Sequence, residues 1–356
     1  MKNWFVLIAL GLVGCGGGSS SSTPKPTVTF QANALLNGTT DLTWSSTNAT
    51  TCSLTGSATG TLAPNGTKNV SAQVTSDQSY TISCSGSGGI GTAQATATPP
   101  SSFPTNCSYV FGNLGAYWIG QYVVGTFVDD TSLAFPCQSA TVASDGSIDV
   151  ISSWNYPITN GIKSNPNFVY GKTVPVAGFG QSTVAGYPVQ VSSISSTLGF
   201  TYTDTLTGSD LDGAAGSAYD LLFDHYFSSK SDLSDQTLEM GIDPICVNVC
   251  GGVAPSTADT AVIDGFTWKI VYSPSISHTF SSHPGLAFNC VVSQISTNNY
   301  RCLTQYTSGS IKIKDFIDYA VAHGYLSSSD YFGNISIGNE VFAGKATSEL
   351  GVKFSN

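Results

Sequence analysis

Ile337-Gly338-Asn339-Glu340-Val341-Phe342-Ala343-Gly344 sets one glutamate among apolar and small residues, in a run with the alternation of a β-strand. Gln236-Thr237-Leu238-Glu239-Met240-Gly241-Ile242-Asp243 repeats the arrangement earlier in the chain. Working outward, Ser147–Ile151, Val189–Ser193 and Thr267–Tyr272 read as further strands, so residues 107–356 form one all-β unit. Its length, about 250 residues, is one that single all-β domains reach. A single segment breaks the period of two. Ile313, Phe316, Ile317, Ala320 and Val321 fall on one face of an amphipathic helix, with Ser310 as N-cap and Gly324 just past the end. The pattern predicts a sandwich of sheets with a single packed helix near 311–324.

Upstream, Val28–Ala32, Thr40–Trp44, Lys68–Ala72 and Tyr80–Cys84 are short strands separated by Asn, Gly and Ser turns. With Trp44 and the Cys52/Cys84 pair, residues 28–98 resemble the Ig-like sandwich modules that precede enzyme domains in bacterial surface proteins. Trp44 is expected in the core beside that cysteine pair. Residues 99–106, which include Pro99-Pro100 and Pro104, read as a proline-stiffened linker, and residues 15–27 as a Gly/Ser/Pro tether. At the start, Lys2 precedes the apolar run Trp4–Val13, too short to cross a bilayer and typical of a signal peptide. Leu12-Val13-Gly14-Cys15 resembles a bacterial lipobox. Residues 1–14 are therefore expected to be a lipoprotein signal peptide and Cys15 the lipidated residue. The protein is then exported, held at an outer membrane or cell surface by its lipid, or secreted.

Of nine cysteines, eight remain once Cys15 carries lipid, an even number suited to an oxidising compartment. Proximity in sequence suggests Cys52–Cys84, Cys107–Cys137, Cys246–Cys250 and Cys290–Cys302. The Cys246/Cys250 spacing lacks a second ligand pair for zinc, and His225, His278, His283 and His323 are scattered and read as surface or loop residues, so no metal is expected. With 12 basic against 22 acidic residues, the chain has no electrostatic footprint for nucleic acid. A monomer is expected.

A glutamate inside a strand costs desolvation unless it is paired, used, or on an outward face. Two of them on facing strands could do more. Splitting a glycosidic bond takes an acid for the leaving oxygen and a carboxylate for the oxocarbenium-like carbon, with surroundings that push their pKa values apart.

The unit from Cys107 to Asn356 resembles glycoside hydrolase family 12, the endoglucanase and xyloglucanase family. The resemblance rests on Tyr219-Asp220-Leu221-Leu222-Phe223, Glu239-Met240, Gly265–Tyr272, the helix Ile313–Gly324, and Gly338-Asn339-Glu340-Val341-Phe342-Ala343-Gly344, in the family's order. It implies a jelly roll of two antiparallel sheets with the glycan across the concave one, and no metal or cofactor. It implies Glu239 as nucleophile, Glu340 as acid/base and Asp220 as a third carboxylate beside the nucleophile. The carboxyl groups of a retaining pair lie about 5–5.5 Å apart. Trp154, Tyr156, Tyr272 and Phe342 are the implied substrate contacts, and Cys107–Cys137 matches a disulfide of the family. The substrate implied is β-1,4-glucan, mixed-linkage glucan or xyloglucan.

Three stretches depart from the family pattern. Gly241 and Asp243 stand where Met and Trp are usual, Thr126–Asp130 lacks the usual Asn and Trp, and Trp154-Asn155-Tyr156 replaces a Trp-x-Trp platform. Two other functions remain open at this level: a glycan-binding surface lipoprotein without activity on the same fold, and a purely structural envelope protein.

Overall fold

The computed structural model describes residues 23–35, 39–70, 76–107, 111–122, 136–156, 164–172, 184, 186–209, 218–248, 259–277, 282–296, 299–302 and 306–355. Cys15 and the leader, the Thr126–Asp130 segment, Cys250 and His278 lie outside these residues.

The first strands make a small sandwich. Thr27–Ala34, Thr40–Thr47 and Gly66–Val70 form one antiparallel sheet, and Gly60–Leu62, Thr51–Gly56, Gln78–Gly86 and Gly89–Ala97 form another. Leu42, Trp44, Leu54, Tyr80 and Ile82 share its core. The Trp44 indole N–H donates to the Ala63 carbonyl at 2.9 Å, which satisfies its one polar group while the ring is buried. Cys52 and Cys84 are bonded directly across neighbouring strands of one sheet.

The larger unit starts inside the stretch expected to be linker. Ser102–Asn106 is a strand paired with Cys137–Val142, because Phe103 is apolar and buried in the main core. Cys107–Cys137 ties this edge down, and Cys290–Cys302 closes a second bridge.

Two sheets face each other across that core. The smaller runs Ser102–Asn106, Cys137–Val142, Ile148–Tyr156, the last half of Tyr331–Ser355, Gly199–Ser209 and Ser308–Ile311. The larger runs Phe111–Leu114, Tyr117–Tyr122, Asn165–Gly171, the first half of Tyr331–Ser355, Ala218–Ser228, Gln236–Asn248, Ser282–Cys290, Phe266–Ser277 and Asp259–Ile263. Phe200 of the smaller sheet meets Phe223 of the larger edge-to-face at 4.9 Å, and Tyr170 stacks on Phe354 at 4.5 Å. Such ring pairs add about 0.5–1.5 kcal/mol each beyond area burial. The architecture is the expected all-β jelly roll, with one pairing among the described strands that is not antiparallel. Gln236–Asn248 and Ser282–Cys290 run parallel, because the chain passes outward through Asp259–Ser277 before its return strand fills the gap.

The long strand Tyr331–Ser355 belongs to both sheets, and Gly344 is where it crosses. Up to Ala343 it pairs with Ala218–Ser228, and from Gly344 it pairs with Ile148–Tyr156. Ile335, Ile337 and Val341 point inward before the crossing, whereas Ala346, Leu350 and Val352 do so after it. The inward set shifts from odd to even positions at Phe342, the extra residue where Tyr219 pairs with Val341 and Ala218 with Ala343, and Gly344 at φ +95° follows at the crossing.

The helix is Ile313–Ala322, the only α-helix among the described residues, and buries Ile313, Phe316, Ile317 and Ala320. Phe316 packs on Trp268 and Phe288, with ring centroids at 5.4 and 5.1 Å. Gly324 takes the left-handed C-terminal position at φ +75° as expected. Ser310 is not the N-cap. It belongs to the strand paired with Gly199–Ser209, and Lys312 begins the helix, its N–H bonded to Asp264 Oδ2 at 2.8 Å. Val189–Ser193 divides into a two-residue strand and a 3₁₀ turn with Val191 buried.

Candidate active site

Alternation decides which side chains leave the core of the larger sheet. On Ala218–Ser228, Tyr219, Leu221, Phe223 and Phe227 point inward, so Asp220, Leu222, Asp224 and Tyr226 face outward. On Gln236–Asn248, Leu238, Met240 and Ile242 point inward, which turns Glu239, Gly241 and Asp243 outward. Glu340 and Phe342 face outward on the last strand, and His283 and Asn289 on Ser282–Cys290. Five carboxylates therefore share one face: Asp220, Asp224, Glu239, Asp243 and Glu340.

Register separates them into two ends. Asp220 lies directly opposite Glu340. Glu239 lies opposite Tyr226, and Tyr226 opposite Asn334. From Asn334 to Glu340 is six residues (340 − 334), and at the strand rise that is roughly 20 Å. Two glutamate side chains do not span that distance. The carboxylate of Gln236–Asn248 nearest Glu340 is instead Asp243. Ile242 pairs with Phe223 and Ile245 with Leu221, so Asp243 and Pro244 form a bulge opposite Leu222. That is two residues, roughly 7 Å along the strand, from the Asp220–Glu340 row. Pro244 has no N–H to give a ladder, which is why the strand bulges there.

Burial makes this end electrostatically tense. Asp220, Asp224 and Asp243 are 1%, 8% and 5% exposed. Burial, then the charge of Glu340, then Asp243 and Asp224, push the Asp220 carboxyl well above the ordinary range. Burial and Glu340 do the same to Asp243. For Asp224 the causes are burial, then Glu239, Glu340 and Asp243, so it bridges the two ends. One oxygen each of Asp220 and Asp243, and both amide atoms of the fully buried Asn289, have no hydrogen-bond partner within the protein. Asn289 sits directly beside Asp243, and Lys269, 8% exposed, is the next residue in that row.

The other end is quieter. His283 Nε2 lies 2.9 Å from Glu239 Oε2, with the histidine side chain almost wholly enclosed. Gly241 leaves room beside it: a Cβ there would stand 3.4 Å from Asp224 Oδ1 and 3.3 Å from Leu222 Cδ1.

At the level of sequence, no protein-family profile and no curated protein matches the chain. Solved structures do. A native family 12 xyloglucanase from Bacillus licheniformis aligns at 20% identity with TM-score 0.53, over 71% of this chain and 100% of its own. The endoglucanase 3 of Trichoderma harzianum, also of family 12, aligns at 20% identity with TM-score 0.50, over 71% of this chain and 97% of its own. The chain has their fold.

Within this family 12 fold the expected site residues divide. Asp220 and Glu340 come together; Phe342 falls at the register shift between Val341 and Ala343 and is buried outside the main core. Asp220 stands beside Glu340, whereas the carboxylate next to Glu239 is Asp224. Trp154 and Tyr156 are not on this face. They alternate inward on Ile148–Tyr156, and Trp154 packs against Tyr219 in the core. Tyr272 shares the side of Trp268 and Ile270, where it stacks on Tyr325 at 4.7 Å beyond the helix. His225 and His283 are not surface residues: both are buried, His225 in the middle of Ala218–Ser228 and His283 at the start of Ser282–Cys290 against Glu239. His225 points into the core against Phe332, and burial pushes its pKa down to about 4. His323 is exposed at the helix end as expected. Of the predicted bridges, Cys246–Cys250 involves a residue outside the described set.

Sequence alone gave Asp224 and Asn289 no role, marked Asp243 as a departure from the family pattern, and read His283 as a surface or loop residue. Asp243-Pro244 carried a signal, since a proline in an apolar central strand marks a bulge, and bulges re-aim side chains near active sites. Trp118, 1% exposed and paired with Asn113 and Val169, also points away from the core, because Tyr117 and Ile119 point into it.

Proposed function

We propose that this chain hydrolyses internal bonds of a β-linked glucan, by double displacement with retention. The observation that carries the proposal is the direct pairing of Asp220 with Glu340 on the outer face of a jelly roll, beside a third buried carboxylate. Such a group of carboxylates cannot all ionise together, so it retains protons at neutral pH, here on Glu340 and Asp220. In this reading Glu340 protonates the leaving oxygen, and a carboxylate of Gln236–Asn248 attacks the anomeric carbon to form an ester. Water, losing its proton to Glu340, then releases the sugar. Resemblance assigns the attacking role to Glu239, whereas strand register favours Asp243. Neutral Asp220 would donate a hydrogen bond within the group. The substrates to expect are β-1,4-glucan, mixed-linkage glucan or xyloglucan, with no metal or cofactor.

The lipobox-like Leu12–Cys15 supports export and anchoring through lipid on Cys15, with the Ig-like sandwich as spacer. The test of function is reducing-sugar release by the full chain from a panel of β-glucans, with Glu340→Gln alongside. Release that disappears in the variant supports the proposal. Glycan binding without release from any polymer favours the alternative, a non-catalytic surface lipoprotein.

A further inference from the structure

We infer that Asp243, rather than Glu239, is the carboxylate that works with Glu340 across the bond to be cleaved. The inference rests on the hydrolase reading above and deepens it. Three observations carry it. The Asp243–Pro244 bulge brings Asp243 within two residues of the Asp220–Glu340 row, while Glu239 is six residues away along the same sheet. Asp243 is 5% exposed with one carboxylate oxygen lacking any partner in the protein, beside an Asn289 amide whose nitrogen and oxygen are likewise unpartnered. Glu239, in contrast, is engaged by the buried His283.

The chemistry follows from this placement. With protons on Glu340 and Asp220, which removes the like charge beside it, the ionised Asp243 carboxylate attacks the anomeric carbon and forms a glycosyl ester as the glycosidic C–O bond breaks. The departing oxygen takes its proton from Glu340. In the second half, water adds to the anomeric carbon, its proton returns to Glu340, and the ester bond breaks to restore the Asp243 carboxylate. Asn289, adjacent in register, is placed to hydrogen-bond a sugar hydroxyl or the ester. Glu239 with His283 lies farther along the face.

The experiment uses the full chain and an activated 2-deoxy-2-fluoro-β-cellobioside, which accumulates the ester, followed by peptide mass mapping. Label on the peptide containing Asp243, resolved to that residue by fragmentation, is the expected result. Label on Glu239 or Glu340 overturns the inference while leaving the hydrolase proposal standing. In parallel, Asp243→Asn is expected to lower turnover of an aryl β-cellobioside on the order of 10³-fold or more, with azide restoring part of it as the glycosyl azide. Glu239→Gln is expected to show no azide response; a glycosyl azide from that variant instead overturns the inference. A wild-type chain that neither turns over any glucan nor takes label overturns the hydrolase proposal and this one with it.

Discussion

The two ends of the outer face hold similar residues and solve opposite problems. At one end Glu239 meets His283 at 2.9 Å, a contact that offsets the cost of an enclosed carboxylate. At the other, Glu340, Asp220 and Asp243 crowd together, and burial plus mutual charge raises Asp220 and Asp243 well above the carboxylate range. Accumulated like charge of this kind costs folding free energy, and a fold keeps it where proton transfer needs it. The difference teaches how one face can hold a paired carboxylate and a crowded group of them, and the proposal above places the chemistry at the crowded end.

The sharpest way to break this contrast is a double-mutant cycle at the tense end. Asp243→Asn with Glu340→Gln should lose no more turnover than the worse single variant, each being down on the order of 10³-fold or more, because the two act as one unit. Additive losses, read as kcat on an aryl glycoside, would separate them. At the paired end the largest effect should fall on stability. His283→Ala takes this contact from the largely covered Glu239 and should cost about 1–3 kcal/mol in urea unfolding. An unchanged midpoint would show that the contact contributes nothing.

A buried carboxylate outside the face sharpens the rule. Asp204, 4% exposed and bonded to the Ser348 hydroxyl at 2.7 Å, has its pKa raised to about 6 by burial. Its folded pKa lies above the unfolded value, so this term is neutral below pH 4 and destabilises as pH rises through 6. Asp204→Asn keeps the hydrogen bond and should stabilise the chain at pH 8 by on the order of 2–3 kcal/mol, with no gain at pH 4. Equal gains at both pH values would show a different cause. His225 runs the other way. Its folded pKa of about 4 lies below the unfolded value, so stability is lost as pH falls from about 6.5 through 4. The smallest effect concerns the seam between the two ends. Gly241→Ala meets Leu222 and Asp224 at 3.3–3.4 Å and should cost about 1 kcal/mol while shifting the pH–rate profile, since Asp224 must give way.

Much was legible without coordinates because it is local. The alternation in Ile337–Gly344 and Gln236–Asp243, the helical period from Ile313 to Val321 and the turn glycine Gly324 are set by neighbours within a few residues. They determined strand and helix, and the resemblance they carry pointed to Glu239, Glu340 and Asp220; it put Asp220 beside Glu239, whereas the register sets it opposite Glu340. Burial of His225 and His283, the inward turn of Trp154 and Tyr156, and the place of Tyr272 under the helix side were not legible, since each depends on what another strand or sheet lays over it.

Which carboxylates meet was decided by tertiary structure alone. A shift of register by two residues keeps every side chain on its own face, so the hydrophobic pattern does not resist it, yet it moves a carboxylate by roughly 7 Å. The bulge at Asp243–Pro244 sits in that register, and along the sheet Asp243 lies nearer the Asp220–Glu340 row than Glu239 does.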